Sequence, residues 1–525
     1  MRFLTVPIGI LSFAAILIFL ITRLRKKIGV AWFIGALASF SVWCWIFYLK
    51  RTPESVFSIR WQNLELGFLL DNISWSYMAA SATMLFFMMA SAPSRLNPDS
   101  SSNDWGFFLL ITAIVMATVA SDSGWSMVFG WFLFDLLTVG IQFFSHQKIY
   151  PFESLEKILF IRIFSIFLAA VAIAIGNSIE LNPAQSFLEG QRETILLIAC
   201  AMRAGLFPFF EPFQNENETR KGLNTFVELS SVALVLPAFI RIDSSAMGND
   251  AYGFFMFFST LSVICGGLGM IFSNKNASER RYFVLTLTGL SFISALRFQP
   301  TASVVWGISL SVLTAPLFLY DIRSRLLNVV QVISGLLLSG LPRTPAASGW
   351  RGLVLVPPSF FDFFLMISFA CLLTKFFSDL TVQNPAHPAL QDRRMNAIYP
   401  FGFMVSVIAY GVIAALSWNF YSDNGMIPAS IITLIIAFII GFRSVWLRFF
   451  TQMNTFFSWF REIFFTIWKI FLWIIQFRWL EAPIRWIITG LSAVIDFISG
   501  IFEAPGGILW KFLILIIVLF LVIGI

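Results

Sequence analysis

A charged side chain inside an apolar run of membrane-spanning length is costly unless it is paired or hydrated, so each one is a candidate for chemistry. Few are placed that way here. Asp135 sits at the middle of an apolar run over 125–144. Arg203 lies near the middle of 193–210, and Glu228 about two turns into 222–241. Asp71 stands at the outer end of 66–91, in LLDNISWSY. One basic and two acidic groups at similar depth make a plausible buried network. Opposite charges within ~4–6 Å would hold one another ionised. A carboxylate that changes partners could then move a proton or cation, whereas a fixed pair would only set helix packing. Pro208 and Pro237 follow Arg203 and Glu228. Prolines there free backbone carbonyls and break helices, a device of transporters. Asp71, near an interface, has a simpler role open to it, a helix-terminal hydrogen bond.

Other chemistry lacks its residues. The cysteines Cys44, Cys200, Cys265 and Cys371 lie in apolar runs without a CxxC pair, which argues against disulfides, zinc and iron–sulfur clusters. His146 and His387 fall in polar connections, so neither a buried haem nor a catalytic triad has its histidine. No Gly-rich phosphate loop is present, and Gly266 and Gly267 suit close helix packing. Ser230 and Ser231 suit hydrogen bonds to their own helix. No cofactor or metal is expected.

The elements that carry these residues are membrane helices. Of 525 residues, 58% are hydrophobic and only 12% charged. Soluble domains run near a quarter charged, so this chain cannot cover a globular surface with polar groups. Apolar runs of spanning length fall near 3–22, 28–48, 66–91, 105–121, 125–144, 158–176, 193–210, 222–241, 252–272, 281–297, 302–320, 326–341, 358–376, 398–417, 427–447 and 508–525. The first ends in RLRKK with no cleavage site, which suits a retained helix. Alternate loops beginning with RLRKK hold 19 Lys and Arg, the opposite set 9. That bias places both termini outside a plasma membrane. The net charge of +7 belongs to those loops and is no nucleic-acid footprint.

Residues 450–505 differ. Their charges are spread so that no clean span fits, and Arg478, Glu481 and Arg485 share one helical face. Such a stretch suits a helix lying along the membrane, divided at Pro483, although two poorly apolar spans also fit. At 1.5 Å per residue, ~50 residues reach about 70 Å. The division expected is 1–104 for N-terminal helices, 105–380 for a core, 381–449 for further core helices, 450–505 for the lateral helix and 506–525 for a final anchor.

The chain resembles the antiporter-like membrane subunits of respiratory complex I, membrane-bound hydrogenases and Mrp antiporters, and in plan the largest complex I subunit of this kind. Asp71-Asn72-Ile73-Ser74 resembles the family's Asp-Gly-Leu-Ser pattern. Gly130-Trp131-Phe132 resembles its fifth-helix Gly-Trp-Glu, and Arg203 before Phe207-Pro208-Phe209 its buried Lys and following turn. Glu228 falls where the family has a histidine. Gly340-Leu341-Pro342 and Glu503-to-Trp510 resemble further family segments.

The resemblance implies an all-α polytopic fold of about sixteen spans. Inverted repeats in the core and a lateral helix belong to it, as do partner membrane subunits docked partly through that helix. It implies proton or cation translocation, with a place in an NADH-quinone oxidoreductase-like or inorganic-carbon uptake complex open to it. The departures are specific. Phe132 replaces the Glu, leaving Asp135 one turn on as a substitute. Arg203 replaces the Lys, and an arginine does not release its proton. In the second half the family's lysines fall on Thr314 and near Trp350. A conducting subunit with an altered first pathway and a structural subunit that conducts nothing both follow from this pattern.

Overall fold

The computed structural model describes residues 2–24, 28–51, 55–61, 64–91, 103–144, 152–181, 186–206, 221–242, 247–272, 276–318, 325–351, 353–354, 359–379, 393–417, 427–441 and Gly490. The chain divides into two compact units, Met1–Thr451 and Gln452–Ile525. Of the second, only the helical Gly490 is described, so the expected lateral helix and final anchor lie outside the described residues.

Among the described residues, the regular structure of the first unit is helical apart from one hairpin. Its helices are α1 Arg2–Leu24, α2 Ile28–Leu49, α3 Asn72–Ser91, α4 Asn103–Val119, α5 Gly124–Phe144, α6 Phe152–Leu181, α7 Ser186–Arg203, α8 Lys221–Ala233 and α9 Leu236–Arg241. There follow α10 Asn249–Phe272, α11 Asn276–Leu296, α12 Pro300–Phe318, α13 Arg325–Leu338, α14 Pro345–Gly349, α15 Phe360–Asp379, α16 Arg393–Ser417 and α17 Ile427–Gly441. Seven of them are long and apolar enough to cross a membrane, and five more apolar helices are shorter. This makes the chain a multi-pass membrane protein. The count stops short of sixteen by that measure among the described residues. The helices that fail it include α7, with Arg192, Glu193 and Arg203, and α11, with Glu279, Arg280 and Arg281.

Helices apolar on every side sort by what surrounds them. α3 is 83% buried and packs against α2, α4, α12 and α16, whereas α6 is 28% buried and turns Phe160, Ile163, Phe164 and Phe167 outward. Core hydroxyls are met by their own helices: Thr83, Thr112, Thr138 and Thr314 each donate to the carbonyl four residues back. Ser231 donates likewise to the Glu228 carbonyl at 2.9 Å. α10 meets α15 through Gly267, where a Cβ would come within 2.3 Å of the Ser368 carbonyl oxygen. The small residue is required by backbone approach.

The hairpin is an addition to the all-helical plan. β1 Ser55–Trp61 pairs antiparallel with β2 Leu64–Leu70, with Ser55 opposite Leu70 and Trp61 opposite Leu64. Leu66 to Leu70 had read as the start of a span because their apolar run continues into α3. β2 instead docks on the α4–α5 connection: Leu69 N donates to Ala120 O at 2.7 Å and Asp122 N to Gly67 O at 2.8 Å. This fixes where α5 begins, and α5 carries Asp135.

Candidate functional site

Asp135 lies on the inward face of α5. Val128, Trp131, Phe134, Asp135, Thr138 and Ile141 are buried, while Phe129, Phe132 and Leu136 are exposed. The spacing is that of one helix face. Phe132, where the resemblance puts the family's glutamate, therefore points away from the bundle, being 51% exposed. The inward acid is Asp135. Gly130 lets α5 close on α4, since a Cβ there would meet Thr118 Oγ1 at 2.1 Å.

Arg203 reaches Asp135 from the end of α7. The apolar run had placed Arg203 mid-span, but the helix stops at it. Gly205 is left-handed, with φ 75°. Leu206 N donates to Ala201 O and Gly205 N to Met202 O, at 2.9 and 3.1 Å. This is a Schellman ending, which only a residue tolerant of positive φ supports cheaply. It leaves a cation on the last helical residue, where the helix dipole favours one. Arg203 Nη1 donates to Asp135 Oδ2 at 2.9 Å and Nη2 to Oδ1 at 3.0 Å, a bidentate pair. Nη2 also donates to the Trp131 carbonyl at 3.2 Å, and the guanidinium lies 5.0 Å from the Trp131 ring centre. A third group completes the cluster. Arg162 of α6 approaches Asp135 Oδ1 at 3.5 Å and lies 5.7 Å from the Phe134 ring. Sequence reasoning passed over Arg162, although it and Arg203 are the two Lys and Arg before residue 450 that the loop counts leave out.

Glu228 is met elsewhere. Its carboxylate lies 3.0 Å from Arg280 Nη2 of α11, and Arg280 Nη1 donates to Thr225 Oγ1 at 2.5 Å. Asp135 and Arg203 thus share one cluster and Glu228 belongs to another. The helix that holds Glu228 is broken: α8 ends at Ala233, and α9 starts at Leu236 with Pro237 in its first turn. Proline lacks the N–H that would continue the ladder. Pro208 lies outside the described residues. Asp71 caps α3, accepting from Ser74 N at 2.7 Å, and pairs with Arg241 at 3.2 Å.

The second half holds two ion pairs whose cations the loop counts include. Glu279 of α11 meets Lys375 of α15 at 3.1 Å, and Arg297 meets Asp362 at 2.9 Å. The two antiparallel helices are thus pinned near both ends. Between them the interior is aromatic. Trp306, Trp350 and Phe369 pack edge to face with ring centres 5.2–5.6 Å apart, and Gly340, with φ 78°, lies against the Trp350 ring. Thr314 is fully buried and spends its hydroxyl on Leu310 O.

No family model and no curated protein matches this sequence. Solved structures do match it. A chain of the Mrp complex from Dietzia sp. superposes with a TM-score of 0.70 at 13% identity, over 99% of this chain and 62% of that one. This chain thus spans about three-fifths of that chain's length. A chain of the membrane-bound sulfane sulfur reductase, an archaeal respiratory membrane complex, gives 0.64 at 15% identity over 98% and 99%. One from respiratory complex I of Thermus thermophilus gives 0.60 at 15% identity over 81% and 99%. At such identities the likeness is one of fold: this chain is folded like these chains of membrane complexes.

Proposed function

We propose that the chain is a membrane subunit of a multi-subunit assembly of the Mrp or complex I kind, and that it moves protons or a cation through the charged groups of its first half. The observation that carries this is the bidentate Arg203–Asp135 pair at a helix break, inside a bundle lined mostly with apolar side chains and with hydroxyls bonded to their own helices. Buried charge so placed needs a reason. Arg203 and Arg280 act as fixed cations, because a guanidinium keeps its proton. Asp135 and Glu228 are the groups that exchange it. A step begins when one of them leaves its guanidinium, takes a proton from the hydrated side and re-forms the pair on releasing it. The breaks at Gly205 and Val235 give each helix an end that can shift without unwinding a whole span.

Among the described residues, the second half offers no matching group at the positions the resemblance names. Trp350 and Thr314 stand where a titratable side chain is wanted, and both are packed or hydrogen-bonded in place. The alternative of a purely structural subunit draws on that same packing. Other membrane subunits are the proposed partners, docked partly through residues 450–505, in a plasma membrane with both termini outside.

Reconstitution of the purified assembly into vesicles, with an internal pH dye, decides between the two. Asp135→Asn and Glu228→Gln are expected to lower proton flux at least ~10-fold while leaving subunit composition unchanged. Full flux in both variants would overturn conduction through these groups.

A further inference from the structure

The groups left unsatisfied around Asp135 are all donors. Arg203 Nε and Trp131 Nε1 are buried and have no hydrogen-bond partner among the described residues. The Arg162 side chain is only 6% exposed, yet its polar contact is a single 3.5 Å approach to Asp135. A guanidinium has five N–H groups to satisfy. Buried donors without acceptors are rare because each loses its hydration for nothing.

The charge is unbalanced in the same direction. Among the described residues, two guanidiniums meet one carboxylate around Asp135. The dipole at the end of α7 offsets about half a charge at most. Water would satisfy donors but not the charge. The missing partner is an acceptor with a negative charge.

We propose that Arg162, Arg203 and Trp131 form a binding site for a small monovalent anion of the halide class, which neutralises the cluster and joins Asp135 as its second counter-charge. The proposal is independent of translocation, because binding is read at equilibrium and without flux.

The test uses the purified full-length chain in phosphatidylcholine nanodiscs, which carry no anionic lipid. Its melting midpoint is followed in sodium chloride against sodium gluconate at equal ionic strength. A saturable rise is expected in chloride and not in gluconate. Arg162→Gln is expected to weaken the apparent chloride affinity about 10-fold or more, the loss of one charge-assisted hydrogen bond, and to fold at least as well in gluconate because the surplus charge is gone. Arg162→Lys is expected to retain part of the effect. The unaltered protein gives a second measure: bromide in place of chloride is expected as a density peak beside the Arg162 guanidinium. Equal midpoints in chloride and gluconate would overturn the site. So would an unchanged chloride response in Arg162→Gln, or bromide bound only elsewhere.

Discussion

Arg203 holds both carboxylate oxygens of Asp135, at 2.9 and 3.0 Å, from the last residue of a helix that ends there because Gly205 turns left-handed. The contact joins residues 68 apart in sequence. It depends on three separate local facts: the inward phase of α5, the Schellman ending of α7 and the burial that excludes water from both side chains.

Removal of one member of this cluster should cost according to what it strands. Asp135→Ala removes the carboxylate that two buried guanidiniums share, at about 3–5 kcal/mol. Arg203→Met leaves Asp135 with Arg162 still nearby and should cost less. The ordering can be read from thermal unfolding in one detergent, with Asp135→Ala lowest. Equal losses would mean that Arg162 does not interact with the carboxylate.

Opposite signs are expected at two glycines of one helix. At Gly267 an added Cβ meets the Ser368 backbone at 2.3 Å, so Gly267→Ala must part α10 from α15 and should destabilise by about 1–3 kcal/mol. At Gly253 a Cβ meets nothing within 4 Å, and Gly253→Ala should stabilise by about 0.5–1 kcal/mol through helix propensity. Melting midpoints of the two variants against the parent settle the signs.

The pairs at the two ends of α11 and α15 should not be equivalent. Asp362 is fully buried, and its carboxylate also accepts from Ser359 N at 2.8 Å, so it holds Arg297 and caps α15 at once. Lys375 is 20% exposed in its pair with Glu279. Asp362→Ala should therefore lose several kcal/mol, and Glu279→Ala, whose partner is in part open to solvent, less. Raising salt should erode only the second. Double-mutant cycles at low and high ionic strength measure both couplings.

Trp350→Ala separates packing from conduction. It opens a cavity against Trp306 and Phe369 and should cost about 3–5 kcal/mol. Proton flux per folded assembly should stay at the parent level, because no charged group faces that space among the described contacts of Trp350. A large new leak would show instead that the aromatic wall blocks an otherwise continuous path.

How much of this was visible beforehand divides along a physical line. A charge in an apolar run is conspicuous whatever the fold, so Asp135, Arg203 and Glu228 stand out in the sequence, as do the multi-pass architecture and the helix-packing role of Gly267. Partners are another matter. Arg280, Lys375 and Arg297 sit at helix ends that read as loops, yet their long side chains carry charge several ångströms from the backbone and reach inward. Glu228 therefore pairs with α11, and not with Arg203. The phase of α5 was hidden for a related reason. In a soluble helix polar residues mark the outer face, but α5 is apolar on both faces, since lipid and protein interior make the same demand. Sequence alone thus determined that this protein lives in a membrane and carries a few costly charges there. Only the tertiary packing decided that Asp135 faces in and Phe132 out, and that one carboxylate is shared by two arginines.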